Sequence, residues 1–261
     1  MFDFHMHSRV SFDGHDTGEA LAKAALAAGL KEICFTDHMD YDPLIEKQFM
    51  VFSEEAYRAE YDRLEVPGLK IRRGVELGMS GENLDFLRTS AKAYPYDFVL
   101  GSVHFVDGLD VYLEPFWKGK TMEEAEKRYL EETLVCVQRN DDFDVLAHLN
   151  FISKSLANPN PRPLSYEAHR EILDEILCTL ADKGKGMEMN TSGVDRRVGY
   201  LPTADFFRRF KELGGEIVTV GSDAHRCDRV GQYCSDACAI LGDIFGYVCT
   251  FENRKPIFHK L

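Results

Sequence analysis

The chain has 261 residues, 44% hydrophobic and 29% charged, with a formal net charge of −13. That length suits a single domain spanning 1–261, the charge opposes nucleic-acid binding, and no apolar run approaches the ~20 residues of a membrane span. The N-terminus Met-Phe-Asp-Phe-His-Met-His has no basic region or apolar stretch, and the seven cysteines include no Cys-x-x-Cys pair, so a cytoplasmic protein with free thiols is expected.

Seven short apolar runs follow one another, and each ends in a His, an Asp or a Glu. Run 2–4 leads into His5 and His7 and is followed by a helical pattern over 17–28 that stops at Gly29. Run 33–36 leads into Asp37 and His38, then a helix over 54–64 opened by Ser53. Run 71–75 ends at Glu76 before a helix over 84–93, and run 98–103 ends at His104 before a helix over 121–139. Run 145–147 ends at His148, with a helix over 165–183 that stops at Gly184. Run 186–189 carries Glu188 and Asn190, followed by a helix over 203–213 capped by Thr203 and closed by Gly214-Gly215. The last run, 217–221, leads into Asp223 and His225, and a helix over 235–245 follows. Alternating strands and helices argue for an α/β fold with a parallel sheet. Closed into a TIM-like (β/α)7 barrel, that sheet gathers its strand C-termini, and the site they build, on one face.

Residues scattered over the whole chain then meet in one pocket. His5 and His7, at i and i+2, lie on one side of an extended strand, and Asp223 and His225 repeat the spacing on the strand that closure makes its neighbour. His38, Glu76, His104 and His148 occupy equivalent strand ends. Mixed imidazole and carboxylate sets suit zinc, manganese or iron, and the absence of cysteine argues against a thiolate structural site.

These motifs resemble the PHP (polymerase and histidinol phosphatase) superfamily over essentially the whole chain: Phe4-His5-Met6-His7-Ser8, Phe35-Thr36-Asp37-His38, Gly74-Val75-Glu76, Gly101-Ser102-Val103-His104, Ala147-His148 and Gly221-Ser222-Asp223-Ala224-His225. The stretch from Asp97 to Phe105, with Asn190-Thr191-Ser192-Gly193, is similar to its histidinol-phosphatase branch. The resemblance implies a distorted seven-fold barrel holding three divalent metal ions. One would take His5, His7, Glu76 and Asp223; a second would share Glu76 and add His104 and His148. The third would take His38, His225 and Asp13, with His15 as the alternative to Asp13. Three divalent ions outweigh these three carboxylates and favour an anionic substrate.

The implied reaction is phosphomonoester hydrolysis by direct attack of a metal-bound hydroxide, without a phosphoenzyme. The implied substrate is L-histidinol phosphate, a small phosphorylated metabolite, and inorganic phosphate is a product. Asp37, His15 or a metal-bound water are open candidates for protonating the leaving group. Three long loops, 105–120, 150–163 and 191–202, fall on the site face. Arg162 and Arg197, or Arg196 in its place, are the candidate phosphate clamps, because a guanidinium presents paired donors. Phe105, Tyr112 and Trp117 can stack an imidazole or form the underside of a loop. Asp40 and Asp42 are read as solvated charges, with ammonium binding as the alternative; His169 and His259 as incidental; Asn190, rather than Glu188, as support for the site. Competing readings are a PHP phosphoesterase for another small phosphate or for phosphotyrosine protein, an exonuclease, and a non-catalytic metal-binding domain. The acidic charge disfavours an exonuclease, and the filled ligand positions disfavour the last.

Overall fold

Each of the seven apolar runs becomes a strand. In the computed structural model, which describes residues 1–41, 48 and 50–261, they are β1 (Phe2–Met6), β2 (Glu32–Phe35), β3 (Lys70–Gly78), β4 (Phe98–Ser102), β5 (Val145–Leu146), β6 (Gly186–Asn190) and β7 (Val218–Gly221). Neighbours in that order pair in parallel. β7 returns to β1 through a parallel bridge between Ala224 and Met6. There the His7 N–H donates to Ala224 O and the Asp223 N–H to His5 O, both at 2.8 Å. The seven strands therefore form a near-closed, distorted (β/α)7 barrel. The short strand His38–Met39 runs beside β3 in a register that sets His38 against Glu76.

The helices wrap the barrel: α1 (Gly18–Ala27), α2 (Glu54–Tyr61), α3 (Leu84–Ser90), α4 (Met122–Arg139), α5 (Arg170–Asp182), α6 (Ala204–Glu212) and α7 (Cys234–Phe245). Their starts follow local chemistry. The Ser53 hydroxyl accepts the Ala56 N–H at 3.1 Å, and Thr121 with Glu124 forms a reciprocal capping box at the head of α4. Thr203 takes the N-cap position of α6 but makes no side-chain cap; its hydroxyl donates to Asp205 instead. Gly29 ends the α1 segment with a left-handed φ of 78°. α6 buries Phe206, Phe207 and Phe210 on one face, and emptying any one of them should cost ~3–5 kcal/mol.

Three features depart from the sequence reading. The helix expected over 165–183 is shorter, a 3-10 turn Glu167–His169 preceding α5. The 105–120 loop contains a two-residue-stranded hairpin, Phe105–Val106 with Leu109–Asp110, and one helical turn, Glu114–Trp117. Beyond α7 the chain forms an antiparallel hairpin, β8 (Tyr247–Glu252) and β9 (Lys255–Lys260). Its Cys249 and Phe251 join Phe4, Cys34, Phe98, Leu100, Val145 and Ala147 in an apolar cluster. The hairpin turn is fixed to residues that precede β4 and β5: Asp97 accepts the Asn253 and Arg254 N–H groups, and Asp144 accepts the Arg254 guanidinium. The N-terminal end of the barrel is therefore plugged, leaving the opposite end to carry the polar residues.

Candidate metal centre

Period-two alternation sorts the barrel interior. On β4, Phe98 and Leu100 face the apolar cluster, and the next residue of that face, Ser102, donates to Glu76 Oε1 at 2.5 Å. Above it, five imidazoles converge on the fully buried Glu76. His38 Nδ1, His5 Nε2 and His7 Nε2 lie 3.0, 3.2 and 3.4 Å from its Oε2. His148 Nε2 and His104 Nε2 lie 2.8 and 3.5 Å from its Oε1. Asp223 Oδ1 stands 3.6 and 3.3 Å from the Nε2 atoms of His5 and His7. Asp13 Oδ2 lies 3.2 Å from His225 Nε2 and 3.7 Å from His38 Nε2, whereas His15 sits exposed at the mouth with its N–H donating to His225 O. The nine side chains assigned by resemblance thus meet in one place, and Asp13, rather than His15, fills the gap between His38 and His225.

The groups overlap instead of dividing into separate sites. Sets with ligand atoms within 4.8 Å of one another are His5, His7 and Asp223; His5, Glu76 and His148; His7, His38 and His225; and His38, Asp40 and His104. Among their atoms, His5 Nε2, His7 Nε2 and Glu76 Oε2 are buried without a hydrogen-bond partner, as is Oδ1 of the neighbouring Asp13. Buried polar atoms without partners are costly, and several of them converging on one point are what divalent cations satisfy. No cysteine enters any set, in keeping with borderline or hard ions. The residues present fit a multinuclear divalent-metal site.

Electrostatics follow from this crowding. Burial would raise the Glu76 carboxyl, but His5, His38 and His104 hold it well below its ordinary value. Burial would lower His5, yet Glu188, Glu76 and Asp223 push it well up. His7 goes the other way, lowered by burial and by His225 and His38. His104 rises to about 10 against its burial, because Asp40 and Glu76 face it. Asp223 is held in a left-handed conformation, φ 56°, unusual outside glycine, so its carboxylate is aimed by strained backbone.

Four residues have roles the sequence did not predict. Glu188 is 1% exposed and shares a 2.6 Å hydrogen bond with His5 Nδ1; Asn190, expected to be the supporting residue, bonds Glu188 Oε2 at 3.2 Å. Both face inward, as residues two apart on a strand must. A Cβ at Gly221 would fall 2.2 Å from Glu188 Oε1 and 2.3 Å from His5 Cβ, so only glycine allows that approach. Asp40, read as a solvated charge, is 2% exposed, bonds His104 Nδ1 at 2.8 Å and lies 3.2 Å from His38 Nδ1. Asp42 lies outside the described residues. Lys154 reaches Asp223, and its motif offered no signal beyond a basic residue six positions after His148. His169, read as incidental, is buried against Glu126, with Nε2 3.0 Å from the carboxylate.

The remaining candidates separate. Asp37 does not line the cavity: Oδ1 accepts the Ser8 and Ser11 N–H groups and the Ser11 hydroxyl, and Oδ2 accepts the Tyr61 hydroxyl. It braces the loop after β1, and Ser11 Oγ carries that bracing to His7 Nδ1 at 3.2 Å. Arg162 pairs with Glu126 at 3.0 Å and stays outside the cavity. Arg197, in a left-handed conformation, also stays outside, while Arg196 lines the cavity and donates to the Tyr112 hydroxyl. Phe105 and Tyr112 line it too; Trp117 is buried beneath its loop, donating to Val111 O at 2.9 Å. His259 contacts Phe2 and Thr250 in the hairpin that plugs the other end. The cavity over the histidines measures about 410 Å³, within the range of small-molecule sites.

A near-closed parallel barrel with overlapping histidine and carboxylate sets at its strand C-termini defines a protein built to hold several divalent metal ions. The chain belongs to the PHP domain family, which matches residues 3–192, on its histidinol-phosphatase branch. It is 30% identical over 263 residues to a probable histidinol-phosphatase of Clostridium acetobutylicum, covering 100% of this chain and 97% of that one. It is 33% identical over 232 residues to a histidinol-phosphatase of Lactococcus lactis, covering 87% and 85%. A solved histidinol phosphate phosphatase from Lactococcus lactis, complexed with zinc, L-histidinol and phosphate, superposes with a TM-score of 0.84 at 30% identity over 98% of each chain.

Proposed function

We propose that the protein is a divalent-metal-dependent phosphomonoesterase that converts L-histidinol phosphate to L-histidinol and inorganic phosphate. The observation that carries this reading is the approach of five imidazoles to Glu76 within 3.5 Å on the floor of a small-molecule cavity. The similarity to histidinol-phosphatases over nearly the full chain supplies the substrate.

His5, His7, Glu76 and Asp223 would hold one ion, Glu76, His104 and His148 a second, and Asp13, His38 and His225 a third, with zinc, manganese or iron suited to the donors. Bound there, such ions make water a nucleophile at neutral pH and take up charge on phosphoryl oxygens. The chain's own residues do the rest. Glu188 and Asp40 fix the His5 and His104 rings through their Nδ1 atoms, leaving Nε2 of each directed inward. Arg196 offers a planar pair of donors to a phosphate. Phe105, Tyr112 and Phe151 form the apolar wall against which an imidazole can lie. Of the side chains considered for leaving-group protonation, His15 stands at the cavity and Asp37 does not.

The hydrophobic cluster runs from Met6 to Val248, which supports residues 1–261 as a single PHP-type domain. All seven cysteines are free, which supports a reducing cytoplasm, and no helix among the described residues is long and apolar enough to cross a membrane.

The test is phosphate release from L-histidinol phosphate by metal-reconstituted protein, set against p-nitrophenyl phosphate and other small phosphomonoesters. A preference of ~100-fold or more in kcat/KM, about 3 kcal/mol of transition-state discrimination, is expected. Equal slow rates on every ester would keep the phosphomonoesterase and remove the substrate; no phosphate release from any would remove both.

A further inference from the structure

Ser11 lies on the loop after β1, only 3% exposed, and has no place in the reading above. Its hydroxyl oxygen stands where three parts of the centre meet. Asp37 Oδ1 is 3.0 Å away, the His38 nitrogen 2.9 Å and His7 Nδ1 3.2 Å.

The protons of this junction can be placed one at a time. Asp37 Oδ1 receives the N–H groups of Ser8 and Ser11 at 2.8 and 3.3 Å, and Oδ2 receives the Tyr61 hydroxyl. An oxygen that collects backbone N–H groups is an acceptor, so the Ser11 hydroxyl turns its own proton toward it. A hydroxyl has one donor and two acceptor positions. The His38 N–H, which can only donate, takes the first acceptor position. His7 Nδ1 meets the second, so that nitrogen carries a proton and donates it. Nε2 of the same ring then holds the free lone pair. It is buried without a hydrogen-bond partner and faces Asp223 Oδ1 at 3.3 Å and Glu76 Oε2 at 3.4 Å. One hydroxyl thus decides which nitrogen His7 presents to the centre.

The same residue ties neighbouring ligands together. Its side chain holds the backbone of His38, and its carbonyl accepts the Gly14 N–H at 3.2 Å, closing the turn that carries Asp13. His7, His38 and Asp13, which serve two different ions, share this anchor.

We propose that Ser11 is a positioning residue of the metal centre: it fixes His7 as the Nδ1–H tautomer and relays the Asp37 carboxylate to the ion held at Nε2. The inference rests on the metal-centre part of the functional reading and is independent of the substrate.

The test compares wild type, Ser11→Ala and Tyr61→Phe, all zinc-loaded. Competition with a chromogenic chelator gives metal affinity, and NMR of nitrogen-labelled histidines follows the ring N–H protons. Wild type should show the His7 Nδ1–H as a slowly exchanging proton. Ser11→Ala should lose that protection and bind zinc ~10-fold more weakly or worse, the usual cost of freeing a ligating ring. Tyr61→Phe, which takes a donor from Asp37 but leaves Ser11 in place, should keep the His7 signal and hold zinc as wild type does. Wild-type affinity in Ser11→Ala would overturn the proposal. So would equal losses in both variants, because Ser11 would then serve only the fold of its loop. Should Ser11→Ala fail to fold, Ser11→Cys, whose thiol is a weak donor and acceptor, is read the same way. A wild-type protein that takes up no metal would remove the metal centre and the proposal together. A metal-loaded wild type that leaves L-histidinol phosphate intact, with the zinc results as expected, would count against the substrate alone.

Discussion

Glu188 and His5 are joined by a 2.6 Å hydrogen bond at Nδ1, with both residues almost completely buried. The other Glu188 oxygen accepts the His148 N–H at 2.9 Å, so one carboxylate sets the ring plane of one histidine and the backbone of another. Glu188→Gln should keep the fold and weaken metal binding ~10–100-fold, the usual cost of losing a carboxylate behind a ligating histidine. Competition with a chromogenic chelator measures this; wild-type metal affinity in the variant would refute the support role.

Metal removal should have two consequences of one cause. Converging buried atoms without partners, His5 Nε2, His7 Nε2 and Glu76 Oε2 among them, are satisfied only when ions are bound. A strong chelator should therefore abolish phosphate release and lower Tm, and adding back zinc, manganese or iron should restore both. A chelated protein with unchanged Tm would mean that the centre contributes nothing to stability.

Of the three candidate clamp arginines, Arg196 is the one at the cavity, held by the Tyr112 hydroxyl and Lys154 O. Arg196→Ala should raise KM for L-histidinol phosphate about tenfold or more. Arg196→Lys should recover little, because a point charge does not reproduce the planar fork. Steady-state kinetics on metal-reconstituted protein decide; identical KM and kcat in both variants would exclude substrate contact.

Glu126 sits buried between α4 and the start of α5, 3.0 Å from both His169 Nε2 and the Arg162 guanidinium. Truncation leaves the buried His169 without its partner. Glu126→Ala should cost about 3 kcal/mol in urea unfolding, with metal content unchanged. A loss under ~1 kcal/mol would mark the cluster as equivalent to an exposed pair.

His259 offers a pH signature away from the metal centre. Burial lowers it below its ordinary value, with Glu32 opposing and Lys70 adding to the effect. The unfolded chain then takes up a proton near pH ~6.5 that the folded chain resists. Stability from this group is complete above that pH and is lost as pH falls toward the folded value. Between about pH 7.5 and 5.5, wild type should lose more Tm than His259→Gln. Parallel curves would show that the histidine does not couple to folding.

Much of the site was legible because its ligands end strands. A buried run followed by His, Asp or Glu is a local signal, and barrel closure supplies the long-range step, which is why His5 and Asp223 could be paired across the whole chain. Lys154 and Asp40 were not legible in the same way. Their partners come from other strands, Asp223 for one and His104 for the other, and nothing near either residue announces a buried charge. Arg162 shows the converse: its loop falls on the right face, but the rotamer is taken by Glu126, a residue of α4 that no local pattern links to it. The closing hairpin, β8 and β9, pairs antiparallel and is followed by no helix, so the strand-helix alternation that found the other seven strands passed over it.

The plug beneath the centre has a kinetic consequence. Phe4, Phe98, Leu100 and Phe251 fill the barrel under the histidines, so among the described residues ions, water and substrate share one doorway, lined by Phe12, His15, Tyr112 and Arg196. Traffic through it is sequential. An occupant of the cavity stands between the ions and solvent, and saturating phosphate should slow the escape of metal to a chelator even where it leaves the affinity of the ligands unaltered.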